Sequence, residues 1–335
     1  MGRITRLKTA IHFESYSAIG GYEERRGALG HLFDFCDDSD KFGQKTWELA
    51  EGEMGRIALN TALSKANLSH SDIELLVAGD LQNQCVASSG GLSSFGIPFL
   101  GVYGACSTAT ESLIILSSYM NSSESMKYGA AVTTSHNSAA ERQFRTPIEY
   151  GGQRAKTAQW TSTAAGAFIL AKGEGDVMLT EIMPGRIVDG ATKDGVNMGG
   201  AMAFAAFDSI FSYFAESGEN VHDIDLVVTG DLGRVGSDIL EELLAKELPG
   251  LERKHADCGL LIYDMKNQDA HSGASGCGTS ASVLACHFLP MLKRGELRQI
   301  LFLSTGALMS PSSLLQGENI FGIAPLIRLE GGKND

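Results

Sequence analysis

A chain of 335 residues with 43% hydrophobic and 20% charged residues has the size of one large domain or two medium ones and the composition of a folded globular protein. Its net charge of −13 excludes a general nucleic-acid binder, because holding a phosphate backbone takes clustered Lys and Arg. Six cysteines without a CxxC pair argue against structural zinc and a disulfide framework. No apolar run is long enough to span a bilayer, and the first six residues lack the apolar core of a signal peptide, so the expectation is an intracellular protein with no transmembrane segment.

In chain order, an opening strand around Ala10–Phe13 is followed by a turn at Gly20-Gly21 and an acidic loop through Asp40. Trp47, Ala50, Met54, Ile57, Ala58 and Ala62 recur at three- and four-residue steps, which predicts a helix with one apolar face. Short buried strands are expected at Ile73–Gly79, Ile97–Tyr103, Ala130–Ser135, Ala165–Leu170, Leu260–Tyr263 and Ile300–Thr305.

One passage occurs twice. Residues 72–81 (DIELLVAGDL) match residues 223–232 (DIDLVVTGDL), and each follows a helix and a polar turn. Later pieces keep the order: Cys106 and its small-residue helix start answer Cys277-Gly278-Thr279-Ser280, and the strand at 130–135 answers the one at 300–305. The chain therefore reads as two copies of one α/β unit, 1–172 and 173–335, with the break near Ala171–Gly175. Helices that start with small residues can pack on each other between two sheets, which predicts a five-layer α-β-α-β-α sandwich with pseudo-twofold symmetry.

Cys106 lies where a strand turns into a buried helix. First-turn N–H groups and the helix dipole there favour a thiolate, which would lower the thiol pKa and make it a nucleophile. The alternative is a small core residue.

The duplicated unit with a cysteine at its first central helix resembles the thiolase-like superfamily of thiolases and ketoacyl synthases. An ordered set of strings is similar to the stage V sporulation protein AD family: Gly104-Ala105-Cys106-Ser107-Thr108, Ser135-His136-Asn137, Ala140–Arg145, Glu149–Gln153, Lys254–Gly259 and Ser275-Gly276-Cys277. That resemblance implies a protein of endospore-forming bacteria that binds dipicolinic acid, with or without calcium, and supports its loading into the spore. It also implies membrane proteins of the stage V A sporulation operon as partners, a homodimer, and a peripheral position at the inner membrane of the forespore or spore.

The superfamily's catalytic sets are matched only in part. His271-Ser272-Gly273-Ala274-Ser275-Gly276 resembles the thiolase histidine loop but lacks its proline, and the C-terminal stretch Glu318–Ala324 has no second cysteine. Cys277 falls where a ketoacyl synthase would carry an Asn amide, and a thiol is a poor donor in its place. Candidate catalytic residues are Cys106, His271 and His255, the last with Asp257 two residues on to hold its imidazole. Candidate ligand contacts are Cys106, Cys277, His136, Arg142, Arg145 and Arg154, since a planar dicarboxylate calls for guanidinium forks and an imidazole. Two readings stay open: a binding protein with a degenerate active site, or an acyltransferase or condensing enzyme using Cys106. No Gly-rich phosphate loop follows a strand, so no nucleotide or other cofactor is expected.

Overall fold

The computed structural model describes residues 2–144 and 154–332. In the N-terminal half, β1 (Ile11–Gly20), β2 (Leu76–Gly79), β3 (Phe99–Gly101), β4 (Tyr128–Ser135) and β5 (Ala164–Lys172) pair in the order β3-β2-β4-β5-β1. In the C-terminal half, β6 (Val177–Met183), β7 (Leu226–Thr229), β8 (His255–Asp257), β9 (Gln299–Leu303) and β10 (Leu326–Gly331) pair in the order β8-β7-β9-β10-β6.

The two halves repeat one hydrogen-bond pattern. β3–β2 and β2–β4 are parallel while β4–β5 and β5–β1 are antiparallel. Likewise β8–β7 and β7–β9 are parallel while β9–β10 and β10–β6 are antiparallel. The halves are joined by antiparallel pairing of His12 with Met178 and of Thr5 and Arg6 with Ile182 and Glu181, and by a short parallel pair of Trp160 and Thr161 with Ala274 and Ser275.

Five helices fix the layers: α1 (Trp47–Ala66), α2 (Thr108–Ser122), α3 (Met198–Ser217), α4 (Gly233–Glu247) and α5 (Cys277–Val283). Strand side chains alternate between faces, and the cores record that alternation. Ile300 and Phe302 of β9 join Leu113 and Leu116 of α2 and Val283 of α5 in a central core. Leu301 and Leu303, one residue out of step, join Met202 and Ile210 of α3 and Leu240 of α4 in an outer core. On the opposite side, Met54, Ala58 and Leu59 of α1 pack with Leu76, Ala78 and Val132. Three helical layers thus enclose two sheet layers, and α2 and α5 form the middle layer.

Local chemistry sets the helix ends. Thr46 accepts the Leu49 N–H and Asn197 the Gly200 N–H at the starts of α1 and α3. Asn67 and Gly218 close the same helices in left-handed conformation. One expected strand is corrected. The stretch at 260–263 is not extended: Cys258–Leu261 forms a helical turn, and the strand is β8 just before it. A short apolar run does not distinguish a strand from a buried helical turn by periodicity.

Candidate functional site

Cys106 sits in a 3₁₀ turn, Ala105–Ser107, that runs directly into α2. Ala105 takes a left-handed φ of 53°, a conformation that costs a non-glycine residue about 1 kcal/mol or more. The turn is fastened by Ser107, whose Oγ lies 2.5 Å from the Gly104 carbonyl oxygen and 2.8 Å from Glu111 Oε1, its one hydrogen serving either acceptor. The cysteine is thereby held, 7% exposed, at the inner end of the central layer.

The duplication determines what it faces. Asp231 follows β7 as Asp80 follows β2, at the end of the repeated ten-residue passage. Asp231, from the second copy, lies within hydrogen-bonding reach of Cys106 in the first. Asp80, from the first copy, acts on Cys277 in the second. The exchange is unequal: the Asp80 carboxyl is engaged by Gln82 and Ser88 and reaches Cys277 only as a charge, behind burial and Glu51, whereas Asp231 acts on both thiols.

Asp231 is fully buried. Its Oδ1 accepts from Thr305 Oγ1 at 2.9 Å and its Oδ2 from the Gly276 N–H at 2.9 Å. Gly276 has a φ of 103°, and a Cβ there would meet Ser135 Oγ at 2.8 Å, so only glycine presents that N–H without strain. Burial, reinforced by the nearby Asp257 charge, raises the Asp231 carboxyl to about 7. Burial, followed by the Asp231 charge and by Cys277, pushes the Cys106 thiol well above its ordinary value. The helix start was expected to lower that pKa; burial and a like-signed neighbour outweigh the dipole.

Cys277 opens α5, is fully buried, and donates its thiol hydrogen to the Thr134 carbonyl at 3.0 Å. Burial comes first among the causes that raise its pKa too, followed by Glu51 and Asp80. Glu51 is itself raised to about 8, by burial and then by Asp80. The centre therefore contains two protonated thiols and several buried carboxyls. A thiol beside a carboxyl that titrates near neutrality offers hydrogen-bond donors below pH 7 rather than a ready nucleophile.

The histidines lie elsewhere. His255 Nε2 pairs with Thr229 Oγ1 at 2.8 Å and its Nδ1 with Glu241 at 3.0 Å. Asp257 does point the same way, meeting the same Thr229 hydroxyl at 2.7 Å. Its carboxylate also takes the Leu232 and Gly233 N–H groups at the start of α4, a capping task. His271 Nδ1 pairs with the Ala155 carbonyl and its Nε2 with Asp269, both at 2.8 Å. The contacts of both rings are with these residues, not with Cys106.

His136 is buried after β4, with Nε2 on the Asp40 carbonyl at 2.8 Å and its ring 5.4 Å from that of Trp47. Burial lowers its pKa, which keeps it neutral. Arg142 is half-exposed and pairs with Glu48. Arg154 pairs with Asp269 and lies over the Trp160 ring at 4.8 Å. Arg145 lies outside the described residues. Of the predicted site residues, Cys277 is near enough to Cys106 to raise its pKa, and Asp231, which the sequence reading did not single out, acts on both. Among the described residues no group of three or more His, Cys, Asp or Glu side chains is arranged to hold a metal ion, and no helix is long and apolar enough to cross a membrane.

The fold is that of the thiolase-like condensing enzymes. The chain is similar to 3-oxoacyl-[acyl-carrier-protein] synthase III from Aquifex aeolicus VF5, with 14% identity, a TM-score of 0.59 and coverage of 95% of this chain and 99% of that one. It is also similar to cerulenin-bound OleA of Xanthomonas campestris, with 15% identity, a TM-score of 0.60 and coverage of 95% and 96%. Sequence similarity is closer to Stage V sporulation protein AD of Bacillus subtilis (strain 168), 41% identical over 314 residues that cover 94% of this chain and 92% of that protein. Because the sequence pattern of the stage V sporulation protein AD family also matches residues 2–330, the chain belongs to that family.

Proposed function

We propose that this protein binds dipicolinic acid and supports its uptake into the developing spore, as a binding protein built on a condensing-enzyme fold whose active site is degenerate. The observation that carries this reading is the neighbour of Cys106: a buried carboxyl, Asp231, in place of an imidazole or amide. Condensation needs a thiolate and neutral or cationic donors for an oxyanion. An ionised Asp231 supplies neither, and its charge opposes both. Protonated, Asp231 and Cys106 can instead donate to a ligand carboxylate, with Cys277 completing the floor.

The proposal extends to assembly. The family resemblance supports a homodimer at the inner membrane surface, working with membrane proteins of the stage V A operon and taking the ligand with or without calcium. The free edge of β3 supports the dimer, since Phe99, Leu100 and Tyr103 are 38%, 42% and 51% exposed there. Titration calorimetry with dipicolinate tests the binding function directly: heat is expected from the folded protein, and its absence at millimolar ligand would remove the reading.

One observation favours the second reading, an acyltransferase using Cys106: the cysteine does occupy a strained turn at a helix start. Incubation with acyl-CoA thioesters followed by intact-mass measurement would then give an adduct that Cys106→Ala abolishes.

A further inference from the structure

Single apolar side chains on a surface are ordinary, whereas a contiguous group marks a contact. Six exposed ones gather on the C-terminal half: Ile187, Val196, Phe204, Phe211, Leu315 and Phe321. Leu315 is 89% exposed and Ile187 66%, while the other four lie between 37% and 42%.

Packing joins these residues into one face. Phe204 and Phe211 stand on the outer side of α3, two helical turns or roughly 10 Å apart. Arg186 reaches Asp208, which lies between them in sequence, with Nε at 3.2 Å. This lays the segment after Arg186 along the helix, where a Cβ on Gly190 would meet the Phe204 ring at 2.9 Å. The same segment pairs Val188 and Asp189 with Gly322 and Phe321. Further on, the Thr192 carbonyl accepts the Ile320 N–H at 2.8 Å, and a Cβ on Gly195 would meet Leu314 at 2.7 Å. Residues 187–196, residues 314–321 and the outer side of α3 therefore form a continuous surface.

Its charges are unequal. Asp189, Asp194, Asp208, Glu216 and Glu318 belong to it, against Arg3, Arg186 and Lys193. Arg3 and Arg186 are both engaged by Asp208, at 3.1 and 3.2 Å, and Arg3 also by Glu216. The exposed margin is then Asp189, Asp194 and Glu318 against Lys193. A second copy docked about a twofold axis would set this acidic margin against itself, and an anionic lipid surface would meet the same repulsion. A partner with apolar side chains flanked by Lys or Arg satisfies both the middle and the margin.

The face also leads inward. The strand Phe321–Ile323 pairs with Gly306–Leu308, and a Cβ on Gly306 would meet the Gly104 carbonyl at 2.9 Å and Ser107 Oγ at 3.0 Å. One strand separates the exposed Phe321 from the turn that carries Cys106.

We propose that this face docks a cationic amphipathic helix of a protein partner, its apolar side seated on the six residues and its Lys or Arg side chains on the acidic margin. The assignment goes beyond the dipicolinate-binding reading and stands independently of it. The test titrates a fluorescein-labelled amphipathic peptide of Leu and Lys with the full chain and follows anisotropy, with a Leu and Glu peptide as control. Saturable binding of the Lys peptide and none of the Glu peptide is expected. Phe211→Ser combined with Leu315→Ser should weaken it about tenfold or more, the loss of roughly one good interaction. Asp194→Asn combined with Glu318→Gln should weaken it severalfold. Leu49→Ser, at a position 57% exposed on α1 of the other half, should leave it unchanged. The substituted positions other than the engaged Asp194 carboxylate are free of listed side-chain bonds, and an unshifted Tm verifies each fold. No binding, equal binding of both peptides, or binding that Phe211→Ser with Leu315→Ser leaves intact would overturn the assignment. So would sedimentation with phosphatidylcholine–phosphatidylglycerol vesicles that this pair abolishes, since the face would then be a lipid contact. A light-scattering mass that the pair halves would overturn it as well, by making the face a contact between copies.

Discussion

Asp231 and Cys106 come from opposite copies of the duplicated unit and meet in the central layer, where the carboxyl opposes ionisation of the thiol while the thiol's hydrogen bond favours the carboxylate. The pairing determines what the inherited cysteine can do. With its pKa well above the ordinary thiol range, Cys106 is protonated at neutral pH.

Cys106 should therefore react slowly with iodoacetamide at pH 7.5. Each unit of pKa rise removes about tenfold from the thiolate fraction, so alkylation at least tenfold slower than for an exposed model thiol is expected. Asp231→Asn removes the charge that opposes the thiolate and should speed the reaction, though burial still limits it. Intact-mass analysis with peptide mapping reads both rates. Fast alkylation in the unmutated protein, or no response to Asp231→Asn, would contradict the pairing.

Stability should fall as pH rises through neutrality. Asp231 and Glu24 are raised to about 7 and Glu51 to about 8, burial being the first cause in each. Their unfolded values lie near 4. Between those limits the folded chain holds more protons than the unfolded one, so each group costs stability with a slope of up to about 1.4 kcal/mol per pH unit until its folded pKa is passed. Calorimetric scans should give a higher Tm at pH 5.5 than at pH 8.5, with a smaller difference in Asp231→Asn. A Tm that rises over that interval would contradict the buried-carboxyl account.

The repeat made much of this architecture legible in the sequence. Short apolar strand runs, the face of α1 and the two small-residue helix starts all follow from local pattern, and apart from the run at 260–263 they correspond to the observed layers. The Gly-Asp ends of the repeat, Gly79-Asp80 and Gly230-Asp231, were visible as a match. Their role was not, because it depends on one copy's strand end meeting the other copy's helix, a contact made across more than a hundred residues. His255 and His271 carried the expected chemistry by residue type, but spacing does not report which groups surround a ring. Their partners, Glu241 and Asp269, are set by tertiary packing.

Arg328 offers a stability test away from the site. Its side chain is 10% exposed and meets Glu219, Gln299 at 2.6 Å, Tyr213 Oη at 3.2 Å and Glu330 at 3.1 Å. Removing one partner from such a buried ionic cluster leaves the others uncompensated and typically costs about 3–5 kcal/mol. Arg328→Ala should lower the urea midpoint accordingly. A change under about 0.5 kcal/mol, the scale of an ordinary surface substitution, would contradict the cluster's role.

The proposed dimer depends on the apolar edge at β3. Leu100→Asp places a charge on an exposed residue of that edge, so it should leave the fold intact and halve the mass measured by light scattering. An unmutated protein that is already monomeric at tens of micromolar would remove the proposal.

The central claim, a condensing-enzyme fold used for binding, is tested most directly by dipicolinate calorimetry run beside acyl-CoA incubation on the same sample. Saturable heat with dipicolinate and no acyl adduct on Cys106 is the predicted result. An adduct on Cys106 together with no dipicolinate heat would contradict it.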